Sequence, residues 1–165
     1  MTTITLAPTI QCSATVNDGT TVIVALAYHR DSRRYRMQNI TVTDIFRPIS
    51  YTDVRSMNLR SALIPKIRQQ LADNTRTALL DQGLVKSPLQ SFFTGNAGRP
   101  IAAAAAADPS STHLDTAAAI HVLATSCGEY PVKAIERCFG ISRTDALRWM
   151  RRVRPRIDDV IITSG

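Results

Sequence analysis

The chain has 165 residues, 44% of them hydrophobic and 20% charged, which is the balance of a folded globular protein rather than a disordered one. Its length suits one domain of ordinary size or two small ones. No run of roughly 18 apolar residues is present, so no membrane span is expected. The formal charge of +7 is concentrated late: residues 131–156 alone carry +6, against +4 for residues 1–83, −1 for 84–130 and −2 for 157–165. A focused basic segment points to a polyanionic partner.

The opening "MTTITLAPTIQC" has neither a basic start nor a long apolar centre and does not read as a signal peptide. A cytoplasmic protein is expected. From residue 10 to 46 the pattern is that of strands. "CSATVNDGTTVIVALAYH" sets two β-rich runs around Asn17-Asp18-Gly19, the chemistry of a hairpin turn. After "RDSRR", the run "YRMQNITVTDIF" places Tyr35, Met37, Ile40, Val42 and Ile45 in imperfect alternation. A small antiparallel sheet of about three strands follows from this.

Helices come next. Ser50 or Thr52 can cap "TDVRSM", and Leu59 to Gln82 forms a longer helix with Leu63, Ile67, Leu71, Ala78 and Leu79 on its apolar face. Pro65 suggests a first turn beside it, and Gly83 a stop. Residues 1–83 are thus expected to be an α+β unit. Between residues 84 and 112 the composition turns to Pro, Gly, Ser and Ala, with alanine at every position from 102 to 107. This reads as a linker, in which Phe92 and Phe93 are out of place and are expected to dock on a neighbour.

Three helices then fit residues 113–156. The first runs from Asp115 to Ser126. The second is "PVKAIERCF", with Pro131 in its first turn and Gly140 as its stop. Ser142 caps the third, which is expected to end near Arg154 because Pro155 cannot donate a helical hydrogen bond. In "CFGISRTDALRWMRRVRPR", Ala146, Trp149, Met150 and Val153 stand at i, i+3, i+4 and i+7, one buried stripe. Arg143, Thr144, Arg148, Arg151 and Arg152 fall on the other face. Helix, glycine turn, helix is the signature of a helix-turn-helix, whose last helix enters the major groove. One departure is Glu136, four before the turn glycine, where a small residue usually allows close approach; Ala134 stands two positions away.

"YPVKAIERCFGISRTDALRWMRRVR" resembles the helix-turn-helix of small DNA-binding proteins of actinobacteria and their phages, and is similar to the DNA-binding tails of invertase-type serine recombinases. The resemblance covers residues 115–154, with an echo at Gly98-Arg99-Pro100; "SYTDVRSMNLRSAL" also resembles a segment of the actinobacterial proteins. It implies a minor-groove contact for Arg99, although residues 101–114 here separate it from the first helix. The recombinase catalytic domain has no counterpart in residues 1–83.

These readings make the chain a sequence-specific binder of double-stranded DNA, expected to be a transcriptional regulator. Arg143, Thr144 and Arg148 are candidates for base contacts. Lys133, Ser142, Arg151 and Arg152 are candidates for phosphate contacts. The cluster around "HRDSRRYR" reads first as a charged hairpin tip, with Arg33 and Arg34 as candidate secondary contacts beside Arg99. Trp149 belongs to the core. Asp145 either accepts from a cytosine amino group or complements the helix N-terminus. One helix reads few bases, so a homodimer through the N-terminal unit is expected on a two-fold site. The other reading is an interaction module, a phage or mobile-element inhibitor or a packaging adaptor, whose N-terminal unit binds a protein partner. Cys12, Cys127 and Cys138 lack C-x-x-C spacing, so neither a disulfide framework nor a metal site with His121 is expected. No phosphate loop and no G-x-S-x-G occur, and the chain holds two glutamates, Glu129 and Glu136. Neither catalysis nor a cofactor is expected.

Overall fold

The computed structural model describes residues 2–16, 19–44 and 49–164. Strands β1 (Thr3–Leu6), β2 (Thr9–Val16), β3 (Thr20–His29) and β4 (Arg34–Thr43) come first. Alternation decides the faces of the sheet: Ile10, Cys12 and Ala14 of β2 are buried opposite Leu26, Val24 and Val22 of β3, while Thr9, Gln11, Ser13 and Thr15 face out. β2, β3 and β4 form the antiparallel three-stranded sheet. Asn17, Asp18 and Ile45, assigned above to the turn and to the end of the last strand, lie outside the described residues. The broken alternation of β4 has a structural cause. Met37 pairs with Leu26 and Asn39 with Ala25, so Gln38 is an extra residue, a bulge.

A last strand, β5 (Ile161–Ser164), pairs in parallel with β1, with Thr3 opposite Ile161. Residues 161–164 are therefore paired strand rather than a loose tail. The side chain of Gln82 holds the same strand, accepting from the Thr3 amide at 2.7 Å and donating to its carbonyl at 2.9 Å. Ile4 and Leu6 of β1 are fully buried.

Helix α1 (Tyr51–Ser56) starts directly after Ser50, which occupies the cap position; Thr52 lies inside the helix. Helix α2 (Leu59–Asp81) is capped by Asn58, whose side chain accepts from the Ser61 amide. Pro65 thus sits in the second turn, not at the start, because an earlier cap is available. Leu63, Ile67, Leu71 and Leu79 pack inward as their spacing predicts, but Ala78 is exposed and Thr75 is buried in the stripe instead.

Residues 84–112, expected to be a linker, are built into the body of the protein. Helix α3 (Lys86–Thr94) buries Leu89, Phe92 and Phe93, the two rings meeting edge to face at 5.5 Å. Short helix α4 (Ala103–Ala107) follows. Pro, Gly and Ser serve here as turns and caps between short helices, while the apolar residues among them need cover. Helix α5 (Ser111–Cys127) starts earlier than Asp115, because Ser110 accepts from the His113 amide and caps it. Buried residues occur around most of α5, among them Leu114, Ala117, Ala118, Ile120 and Leu123, the pattern of a central helix. Helices α6 (Pro131–Phe139) and α7 (Arg143–Asp158) pack on α5 and on each other. α7 runs through Pro155 instead of ending at Arg154. A proline there removes one hydrogen bond, at an exposed position near the helix end where solvent can take its place. One apolar core connects the sheet, α2 and α3 with α5–α7.

Candidate nucleic-acid interface

The segment between α6 and α7 is shaped by local chemistry. Gly140 adopts φ 59°, the left-handed region, and a Cβ there would lie 2.7 Å from the backbone of Pro100. Ser142 then caps α7 in both directions, its Oγ accepting from the Asp145 amide at 3.1 Å and donating to the Asp145 carboxylate at 2.7 Å. Asp145 lies in the first turn, where a negative charge complements the helix dipole.

Below this start, α7 is anchored on one side. Ala146, Trp149 and Val153 are fully buried. The Trp149 indole stacks edge to face on Phe139 at 4.9 Å and donates from Nε1 to the Ala106 carbonyl at 2.8 Å. The opposite side stays open. Arg143, Thr144, Leu147, Arg148 and Arg151 are all exposed, so the candidate base-contacting residues share one accessible face of α7. Arg148 reaches back to Asp145 at 3.1 Å, an exposed pair that restrains it weakly.

Not every candidate belongs to that face. Arg152 turns to the flank and meets Asp108 at 2.8 Å, and Arg156 pairs with Asp115 on α5. The Ser142 hydroxyl is held within its own cap. Lys133 and Arg143 line one groove, together with Tyr130, Val132, Glu136 and Leu147. Two of these residues escaped the sequence reading: Tyr130, 68% exposed, and Leu147, 49% exposed. The guanidinium of Arg60 stacks on the Tyr130 ring at 5.3 Å. Large apolar side chains left in the open beside arginines were the signal available, since the buried stripe of α7 had no place for position 147.

Arg99 is brought back to the motif despite its distance in sequence. The Gly98 amide donates to the Arg137 carbonyl at 2.8 Å and the Ile101 amide to the Phe139 carbonyl at 3.2 Å, so this segment lies along the end of α6. Arg137, by contrast, leaves the basic surface. It shares Glu129 with Arg68 in a largely buried triad, at 2.5 and 2.8 Å. Ala134 is fully buried while Glu136 is half-buried, so the small residue of α6 that faces the core is Ala134. Arg33 lies 3.9 Å from Asp158 at the far end of α7, and Arg34 is exposed at the start of β4.

Among the described residues no three His, Cys, Asp or Glu side chains are grouped to hold a metal ion. Burial pushes the Cys138 thiol up to about 11, far from a reactive thiolate. Among the described residues no helix is long and apolar enough to cross a membrane. No protein-family model, curated protein or solved structure matches the chain.

Proposed function

We propose that the protein binds double-stranded DNA through α6 and α7 acting as a helix-turn-helix, and regulates transcription. The observation that carries this reading is the exposed face of α7. Five consecutive outward positions, Arg143, Thr144, Leu147, Arg148 and Arg151, are left open while the opposite side is locked by Trp149. In a major groove, Arg143 and Arg148 offer bidentate forks to guanine, and Thr144 and Leu147 offer methyl groups to thymine. Lys133 and Arg151, both exposed, are the side chains offered to phosphates. Arg152 can exchange its exposed partner Asp108, itself 86% exposed, for a phosphate. A homodimer formed through the sheet-bearing half would present two such helices to a two-fold site.

Selection from a random duplex pool at about 150 mM salt tests the reading, since that salt removes much of the non-specific binding. An enriched motif with two related half-sites is the expected result. Retention without enrichment would reduce the activity to non-specific binding. Absence of retention would overturn DNA binding and leave the basic face as the surface of a protein-interaction module.

A further inference from the structure

The turn between β3 and β4, whose Arg33 and Arg34 the sequence offered as secondary contacts, is delivered by the fold to the end of α7. The Arg33 amide donates to the Arg30 carbonyl at 3.1 Å and closes the turn. Arg33 itself sits at φ 50°, the one non-glycine residue with positive φ among the described residues. Glycine and asparagine suit that conformation better than arginine. The backbone therefore argues against arginine here, and what the position gains is the side chain.

That side chain points toward α7. Its guanidinium is 3.9 Å from Asp158, and Tyr28, Arg30 and Arg33 line a cleft together with Val160 and Ile162 of the segment that follows α7. Burial first, and then the charges of Arg33 and Arg154, hold the pKa of His121 below the ordinary 6.5. Asp31 belongs to the same turn in sequence, and Asp158 is the acid that Arg33 meets. The Asp158 pair joins side chains 45% and 81% exposed, and so yields readily to a competing anion.

We infer that the β3–β4 turn is a second phosphate-binding element, gripping the backbone of the same duplex beyond the stretch read by α7. The inference rests on the DNA-binding reading. Its geometry is consistent with a duplex: a 16-residue helix is about 24 Å long at 1.5 Å per residue. The turn therefore stands more than half a helical repeat, about 17 Å, from the Ser142 end. Contacts there carry no sequence information and would set the register of α7 in the groove.

Arg33→Gly removes the side chain while giving the backbone the residue its conformation favours, so the variant should melt no lower than the parent. Arg34→Ala is a second, independent probe at the exposed start of β4. Each should reduce the slope of log affinity against log salt by about 0.9, the value for one phosphate contact. The corresponding loss is about fivefold at 150 mM salt relative to 1 M, alike on specific and random duplexes. Trimming the duplex on the flank beyond α7 should abolish the difference between variants and parent. If the parent binds DNA and both variants keep its affinity and salt slope, the turn makes no contact and the DNA-binding reading stands. If the parent binds no duplex, both fall together.

Discussion

Arg148 and Arg151 stand three residues apart on the open side of α7, but nearer and farther from the helix start that would meet the bases. Arg148→Ala should flatten preference at one base step, a loss of about 1–3 kcal/mol in discrimination. Arg151→Ala should weaken all sequences alike and lower the salt slope by about 1. Equal losses on specific and random DNA for both variants would refute this division. Glu129 makes a different prediction. With its side chain 11% exposed between Arg68 and Arg137, replacement by Gln leaves two largely buried guanidinium groups without a counter-charge. A stability loss of about 3 kcal/mol or more is expected. Thermal melting should show it as a drop of about 6 °C or more. His121 gives a pH signature. Burial first, then Arg33 and Arg154, depress its folded pKa below the unfolded 6.5. Its contribution to stability is therefore complete above pH 6.5 and is lost as pH falls through the depressed folded value, because the unfolded chain binds the proton first. Melting temperatures taken from pH 7 downward should fall less steeply in His121→Asn.

For the elements, capping and periodicity were the legible signals. Ser142 with Asp145, Gly140 and Pro131 mark the ends of α6 and α7 through contacts spanning three or four residues. Such contacts are encoded where they act. The same logic misjudged Pro155, because the cost of one missing hydrogen bond depends on whether water can replace it. It also misjudged residues 84–112. A composition rich in Pro, Gly and Ser says that the chain turns often, not that it is loose; Leu89, Phe92 and Phe93 decide the matter by needing cover. Gly98 tests how closely this segment is docked. A Cβ at that position would lie 1.8 Å from the Cys138 carbonyl oxygen, a backbone atom with little room to yield. Gly98→Ala should destabilise by about 1–3 kcal/mol, the usual range for overpacking, and denaturant midpoints would measure it. An unchanged midpoint would mean that the segment detaches without cost.

At the scale of the whole molecule, the three free thiols serve as reporters. Cys12 lies in β2, Cys127 in α5 and Cys138 in α6, all buried, and burial raises the pKa of each. In the native protein none should react with a thiol reagent at pH 8. Because one core joins sheet and helices, all three should become reactive at the same denaturant concentration. Exposure of Cys12 well before Cys127 and Cys138 would show two units unfolding separately.

The sequence by itself determined the three-stranded sheet, the long α2, the capped pair α6–α7 and the arginine-rich face with Trp149 turned away from it. These follow from alternation, helical spacing and short-range caps, which act between neighbours along the chain. Only the tertiary structure decided that β1 pairs with β5, that residues 84–112 fold against α6, that Arg137 is withdrawn to Glu129 while Arg152 turns to Asp108, and that the β3–β4 turn reaches the end of α7. The physical reason is common to all four. Strand pairing, docking and ion pairing between distant residues depend on which surfaces the packed core brings together, and no local pattern in either partner specifies the other.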